Sequence, residues 1–162
     1  MFSEILVAVD GSKIGKRALE VAIEEARLWK ARVHVIYVVE TGLFSSLPMD
    51  STWEIMYSML EKEGQETLSL AKEQAAANGV RLETYLRQGH AGNEIIKASQ
   101  ELGADLIVVG SHGKSEVDRL LLGSVSYGAS VLLDAYARRL RGASREAAFF
   151  ATAPFAGAAL AI

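Results

Sequence analysis

Three groups of residues in this chain could do chemistry with a phosphorylated ligand. Gly110-Ser111-His112-Gly113 follows directly on the apolar run Asp105-Leu106-Ile107-Val108-Val109. Gly123-Ser124-Val125-Ser126 comes after nine further residues. Asp10-Gly11-Ser12 ends a second apolar run, Ile5-Leu6-Val7-Ala8-Val9. Glycine has no Cβ to hold a ligand away from the backbone, and a helix start offers unpaired N–H groups and a favourable dipole to an anion. Glycines at a strand exit, followed by a Gly-Ser pair opening a helix, therefore point to a nucleotide site. Asp10, Gly11 and Ser12 also suit a turn and a helix cap. A Walker-type phosphate loop is excluded: Lys114-Ser115 follows Gly113, but that pattern needs a glycine at position 108, which is Val108.

The elements that position these groups can be read from hydrophobic period. The Ile5–Val9 run reads as a buried strand, and apolar residues at helical spacing from Lys13 to Trp29 read as a helix. Val33 to Val39 is a second strand. A loop containing Gly42 and Pro48 leads to a long helix patterned by Met56, Met59/Leu60, Thr67/Leu68 and Leu70/Ala71, stopped at Asn78-Gly79. Val80 to Leu86 alternates as a strand, residues 89–92 form a turn, 93–102 a helix and 105–109 a fourth strand. Four strand–helix alternations predict an open, parallel, doubly wound α/β sheet (Rossmann-like) of order 3-2-1-4. Strands one and four then lie side by side where the order reverses, the place such sheets bind ligands.

A length of 162 residues fits one domain, and a net charge of −3 supplies no basic field for nucleic acid or membrane. There is no cysteine, so disulfides and thiolate metal sites are excluded. The N-terminus lacks the layout of a signal peptide, and a cytoplasmic location is expected. His34 and His90 lack metal-ligand spacing; they read as a strand and a turn residue. Lys13, Lys114, Glu116 and Asp118 read as solvated charges, and His112 as a loop side chain. Met49, Met56 and Met59 read as packing of a loop or helix. No nucleophile has a base placed beside it, so no catalytic residues are assigned and at most slow hydrolysis is expected.

Residues 3 to about 126 resemble the universal stress protein family. The resemblance rests on Ile5-Leu6-Val7-Ala8-Val9-Asp10-Gly11-Ser12, on Gly103 to Gly113, and on Leu120 to Ser126. Gly110, Gly113, Gly123 and Ser124 match the spacing of its ATP-binding signature without a gap. The resemblance implies ATP as ligand, with Mg or Mn carried on the phosphates. It places Asp10 on the ribose hydroxyls and the backbone of Ala8 and Val38 around the adenine. Gly110, Gly113, Gly123, Ser124, Val125 and Ser126 fall on the phosphates. It also implies a homodimer, a stress-response role and a regulatory partner of unknown identity. The rival readings are an adenylating or ATP-hydrolysing enzyme of related fold, and a nucleotide-free interaction scaffold.

Family members continue after this point into a helix and a Val/Leu/Ile-rich fifth strand that commonly builds the dimer interface. Here residues 127–141 still suit a helix, but no β-branched run follows. All seven lysines precede residue 115, whereas residues 127–162 hold four arginines and twelve alanines. The expected division is an α/β domain over 1–141 and an Ala-rich tail over 142–162. That tail is either divergent or the product of a shifted reading frame. It is too short, and too interrupted by Pro154 and Gly157, to span a membrane.

Overall fold

Ile5, Leu6 and Val7 have no exposed surface, because the strand they form, β1 (Glu4–Ala8), lies inside a sheet covered on both faces. The computed structural model describes residues 2–41, 51–110, 148–153 and 156–160. After β1 come α1 (Lys13–Trp29), β2 (Arg32–Glu40), α2 (Ser51–Ala77), β3 (Leu82–Gly89), α3 (Ala91–Glu101) and β4 (Leu106–Gly110). Two further strands follow, β5 (Ala148–Ala153) and β6 (Ala156–Leu160). The sheet order is β3-β2-β1-β4-β5-β6. The expected order 3-2-1-4 is present and parallel. β5 adds to β4 in parallel, and β6 returns antiparallel at the edge. Residues 148–160 thus hold strands where the sequence, rich in Ala and poor in β-branched residues, suggested none.

Side-chain parity along the strands divides the interior into two layers. Odd residues of β1 and β2, such as Val7 and Val35, pack with Leu106 and Val108 against α1 and α2. Even residues, such as Leu6 and Ile36, pack with Ile107 against Ile95 and Ala98 of α3. α1 ends at Lys30, whose positive φ of 57° closes the helix through its N–H to Ala26. Among the described residues no helix is long and apolar enough to cross a membrane.

Three local readings shift. The buried stripe of α2 is Tyr57, Leu60, Gly64, Leu68, Ala71 and Ala75, while Met56, Met59 and Leu70 face solvent. Gly64 sets this rotation: a Cβ there would lie 2.7 Å from both Tyr37 and Leu86, so the helix rests its smallest residue on the sheet. Val80 closes α2 through its N–H to Ala75, which delays β3 to Leu82. α3 begins at Ala91 because His90 is its N-cap and Glu40 takes the Ala91 N–H at 2.9 Å.

The N-terminal edge of the sheet is held by polar clamps. Asp105 accepts hydrogen bonds from the Ser3 N–H at 2.8 Å, the Ser3 hydroxyl at 2.9 Å and the Glu4 N–H at 3.1 Å, tying β1 to the approach of β4. Beside it, Glu4 bonds His34 Nε2 at 2.7 Å and Arg32 Nε at 3.0 Å. His34 Nδ1 lies 3.1 Å from the Tyr85 hydroxyl, which donates to Glu83 at 2.8 Å. Burial and the bond to Glu83 push that hydroxyl up to about 12. Burial also raises the Glu4 carboxyl, but the bonds and charges of His34 and Arg32 outweigh it and hold the group below its ordinary value of 4.5.

A carboxyl with a lowered folded-state value stabilises the fold above its unfolded value and loses that contribution as pH falls. Glu4→Gln should therefore cost about 1–3 kcal/mol at pH 7, as for a hydrogen bond to a charged group. The gap from the parent should narrow progressively below pH 4.5. Urea denaturation across that range measures it. A gap that stays constant with pH would mean the ionised Glu4 contributes nothing.

Candidate functional site

Parallel register brings three strand ends into one row. Val7 lies beside Val108, so Gly110 falls level with Val9. Ala8 lies beside Ile36, so Val38 falls level with Asp10. Val9 continues the pairing through its N–H to Ile36 at 3.0 Å. Ala8, Asp10, Val38 and Gly110 therefore meet at the C-terminal edge, at the reversal between β1 and β4, though a hundred residues separate Asp10 from Gly110. Ala8 and Val38 are half-buried on the α3 side.

The turn after β1 is built by its own side chains. Gly11 takes a φ of +79°, a region that side-chain-bearing residues rarely enter. This lets Asp10 Oδ1 accept from the Ser12 N–H at 2.9 Å. Ser12 then caps α1, its Oγ accepting from the Gly15 N–H at 3.0 Å. Gly11 and Ser12 are thus turn and cap, and Asp10 braces the turn without capping the helix. Among the described residues Asp10 Oδ2 accepts no hydrogen bond. The half-buried carboxylate thus has an oxygen to offer a ligand hydroxyl. Its charge also reaches the sheet: burial first, and Asp10 second, raise the Tyr37 hydroxyl above its ordinary 10.0.

Two glycines allow the first turn of α1 to sit this close. A Cβ on Gly15 would lie 2.6 Å from Asp10 Oδ1, and one on Gly110 would lie 2.8 Å from Ile14 Cγ2. Gly110 therefore has a packing role at the end of β4 that does not depend on any phosphate. Gly15 escaped the sequence reading, although glycine inside a helix costs up to about 1 kcal/mol against alanine and so signals a close approach. Glu40 and Asp105 were also missed, because nothing in their spacing marks them.

Gly113, Gly123, Ser124, Val125 and Ser126 lie outside the described residues, as do His112, Lys114, Glu116, Asp118 and Met49. Lys13 and Lys16 are exposed on the first turn of α1. His34 is a buried strand residue, and His90 is the N-cap of α3. Among the described residues no three His, Asp or Glu side chains cluster to hold a metal ion. A groove of about 530 Å³ runs between α1 and α2, from Gly11 past Leu19 to Leu70. It meets the row of strand ends only at Val9 and Gly11.

The universal stress protein family profile matches residues 1–128. A universal stress protein of Methanocaldococcus jannaschii is 38% identical over 126 residues, covering 78% of this chain and 74% of its own. The crystal structure of a family member from Burkholderia pseudomallei superposes with a TM-score of 0.59 at 31% identity, over 76% of this chain and 89% of that one. A universal stress protein from Archaeoglobus fulgidus, solved in complex with dAMP, gives a TM-score of 0.50 at 28% identity, over 67% and 80% of the two chains. The chain belongs to the universal stress protein family.

The close contact at Gly15 makes a measurable demand. Helix propensity alone would favour Gly15→Ala by about 1 kcal/mol. The clash with Asp10 reverses this, and the variant should instead lose about 1–3 kcal/mol, as overpacked sites do. Chemical denaturation measures the sign. A stabilised Gly15→Ala variant would contradict the packing of α1 on Asp10.

Proposed function

We propose that this universal stress protein binds an adenine nucleotide in the crevice at the C-terminal ends of β1 and β4. The observation that carries this reading is the convergence of Asp10 and Gly110 at the strand-order reversal, with Asp10 Oδ2 directed to no protein partner among the described residues. A carboxylate oxygen in that state accepts hydrogen bonds from vicinal hydroxyls, and the ribose carries two. The backbone of Ala8 and Val38 frames the base. Gly110, with Gly113, Gly123, Ser124, Val125 and Ser126 further along the chain, takes the phosphates. ATP, with Mg or Mn held through its phosphates, is the ligand implied by the resemblance of this glycine spacing to the family's ATP-binding signature. The dAMP-bound relative supports an adenine base in this family. No residue is assigned to catalysis, and the role is regulatory, with hydrolysis slow at most.

Equilibrium dialysis against ATP–Mg tests this. The protein should take up one nucleotide per chain. Asp10→Ala should weaken binding about 10-fold or more, the equivalent of at least one lost hydrogen bond to a charged group. Its circular dichroism should stay that of the parent. Absence of uptake by the parent would overturn the reading, and unchanged affinity in the variant would remove Asp10 from the site.

A further inference from the structure

Two of the helices that start at the C-terminal edge of the sheet, α1 and α3, carry opposite charge in their first turns. α1 begins beside β4, where Ile14 lies against Gly110. Its first turn contains no acidic residue and exposes Lys13 and Lys16. α3 begins beside the end of β2. There Glu40 places a carboxylate oxygen 2.9 Å from the Ala91 N–H, the position an anion would take at an unplugged helix start. His90, the N-cap, provides no side-chain hydrogen bond, so Glu40 supplies what the cap does not. A second carboxylate, Glu94, stands in the same first turn, where it is paired with Lys97 at 2.8 Å and Arg87 at 3.7 Å. Glu40 follows Val38 by two residues and so shares its face of β2.

We infer that Glu40 is an orientation-determining residue of the crevice: it occupies the anion-binding start of α3 and so directs a polyphosphate chain toward the β4 side. The inference rests on the nucleotide reading above and adds a cause for the ligand's polarity. A phosphate approaching α3 meets the Glu40 carboxylate and finds the Ala91 N–H already taken. One approaching the start of α1 meets no acidic residue in its first turn, the exposed Lys13 and glycine backbone. With its helix start already occupied by a carboxylate, the α3 end of the crevice admits an uncharged heterocycle more readily than a phosphate.

Backbone amide shifts in ¹H–¹⁵N spectra test this on the full chain, titrated separately with ATP–Mg and with inorganic tripolyphosphate. In the parent, tripolyphosphate should move the amides near Asp10 and Gly110 and leave Ala91, Gly92 and Asn93 in place. In Glu40→Ala, tripolyphosphate should move those three amides with an affinity about 10-fold or more above the parent's, within the range of a helix-terminus charge effect. Glu40→Gln keeps an acceptor for the Ala91 N–H and removes only the charge, so it guards against loss of the α3 start. It should shift in the same direction by a smaller factor. Movement of the Ala91–Asn93 amides by tripolyphosphate in the parent would overturn the inference, as would variants no more responsive to tripolyphosphate than the parent. If ATP moves no parent amide while tripolyphosphate still separates the variants, the nucleotide reading fails and the exclusion of phosphate by Glu40 stands.

Discussion

The first turn of α1 lies against the end of β4 with no room for one additional carbon at either Gly15 or Gly110. The rest of the crevice depends on that approach. It holds Asp10 between its own turn and the helix, aims one carboxylate oxygen at the Ser12 N–H, and leaves the other at the edge of the sheet. Parallel pairing of β1 between β2 and β4 supplies the frame, since all three strands then end at the same edge. A Cβ on Gly15 would press on Asp10 and disturb its bracing, and one on Gly110 would force the Ile14 side chain aside.

The two edges of the sheet divide the work. At the N-terminal edge, Asp105 and the Glu4–Arg32–His34–Tyr85 network consume their polar groups on one another and fix the strands in register. At the C-terminal edge, among the described residues, Asp10 keeps one carboxylate oxygen without a hydrogen bond. A ligand site needs such incompletely satisfied groups, and the clamps at the far edge offset the stability they forgo.

Much of this was legible in the sequence. The continuous apolar runs of β1, β2 and β4 and the helical period of α1 translate directly into elements, and their alternation predicts the strand order. Asp10 and Gly110 stood out because they end buried strands. What escaped is tertiary in origin. The face of α2 is rotated by one position because Gly64 must meet Tyr37, a contact invisible to hydrophobic period. The start of α3 moved because a carboxylate fifty-one residues away accepts its first N–H. β5 and β6 are built mostly on Ala and Gly, whose local preferences do not announce strands, and Phe149, Phe150 and Thr152 are too few to mark one, so their pairing could be found only with the neighbouring β4 in place. Family resemblance, by contrast, was carried by spacing, and the profile match over residues 1–128 agrees with it.

The central claim is that one crevice, bounded by Asp10 and Gly110, receives the nucleotide. A crystal structure of the protein grown with saturating ATP–Mg tests it most directly. The account predicts electron density for one nucleotide with its ribose hydroxyls on Asp10 Oδ2 and its phosphates on the β4 side of the crevice. Nucleotide density in the groove between α1 and α2, or at the start of α3, with the Asp10 edge left to solvent, would contradict it.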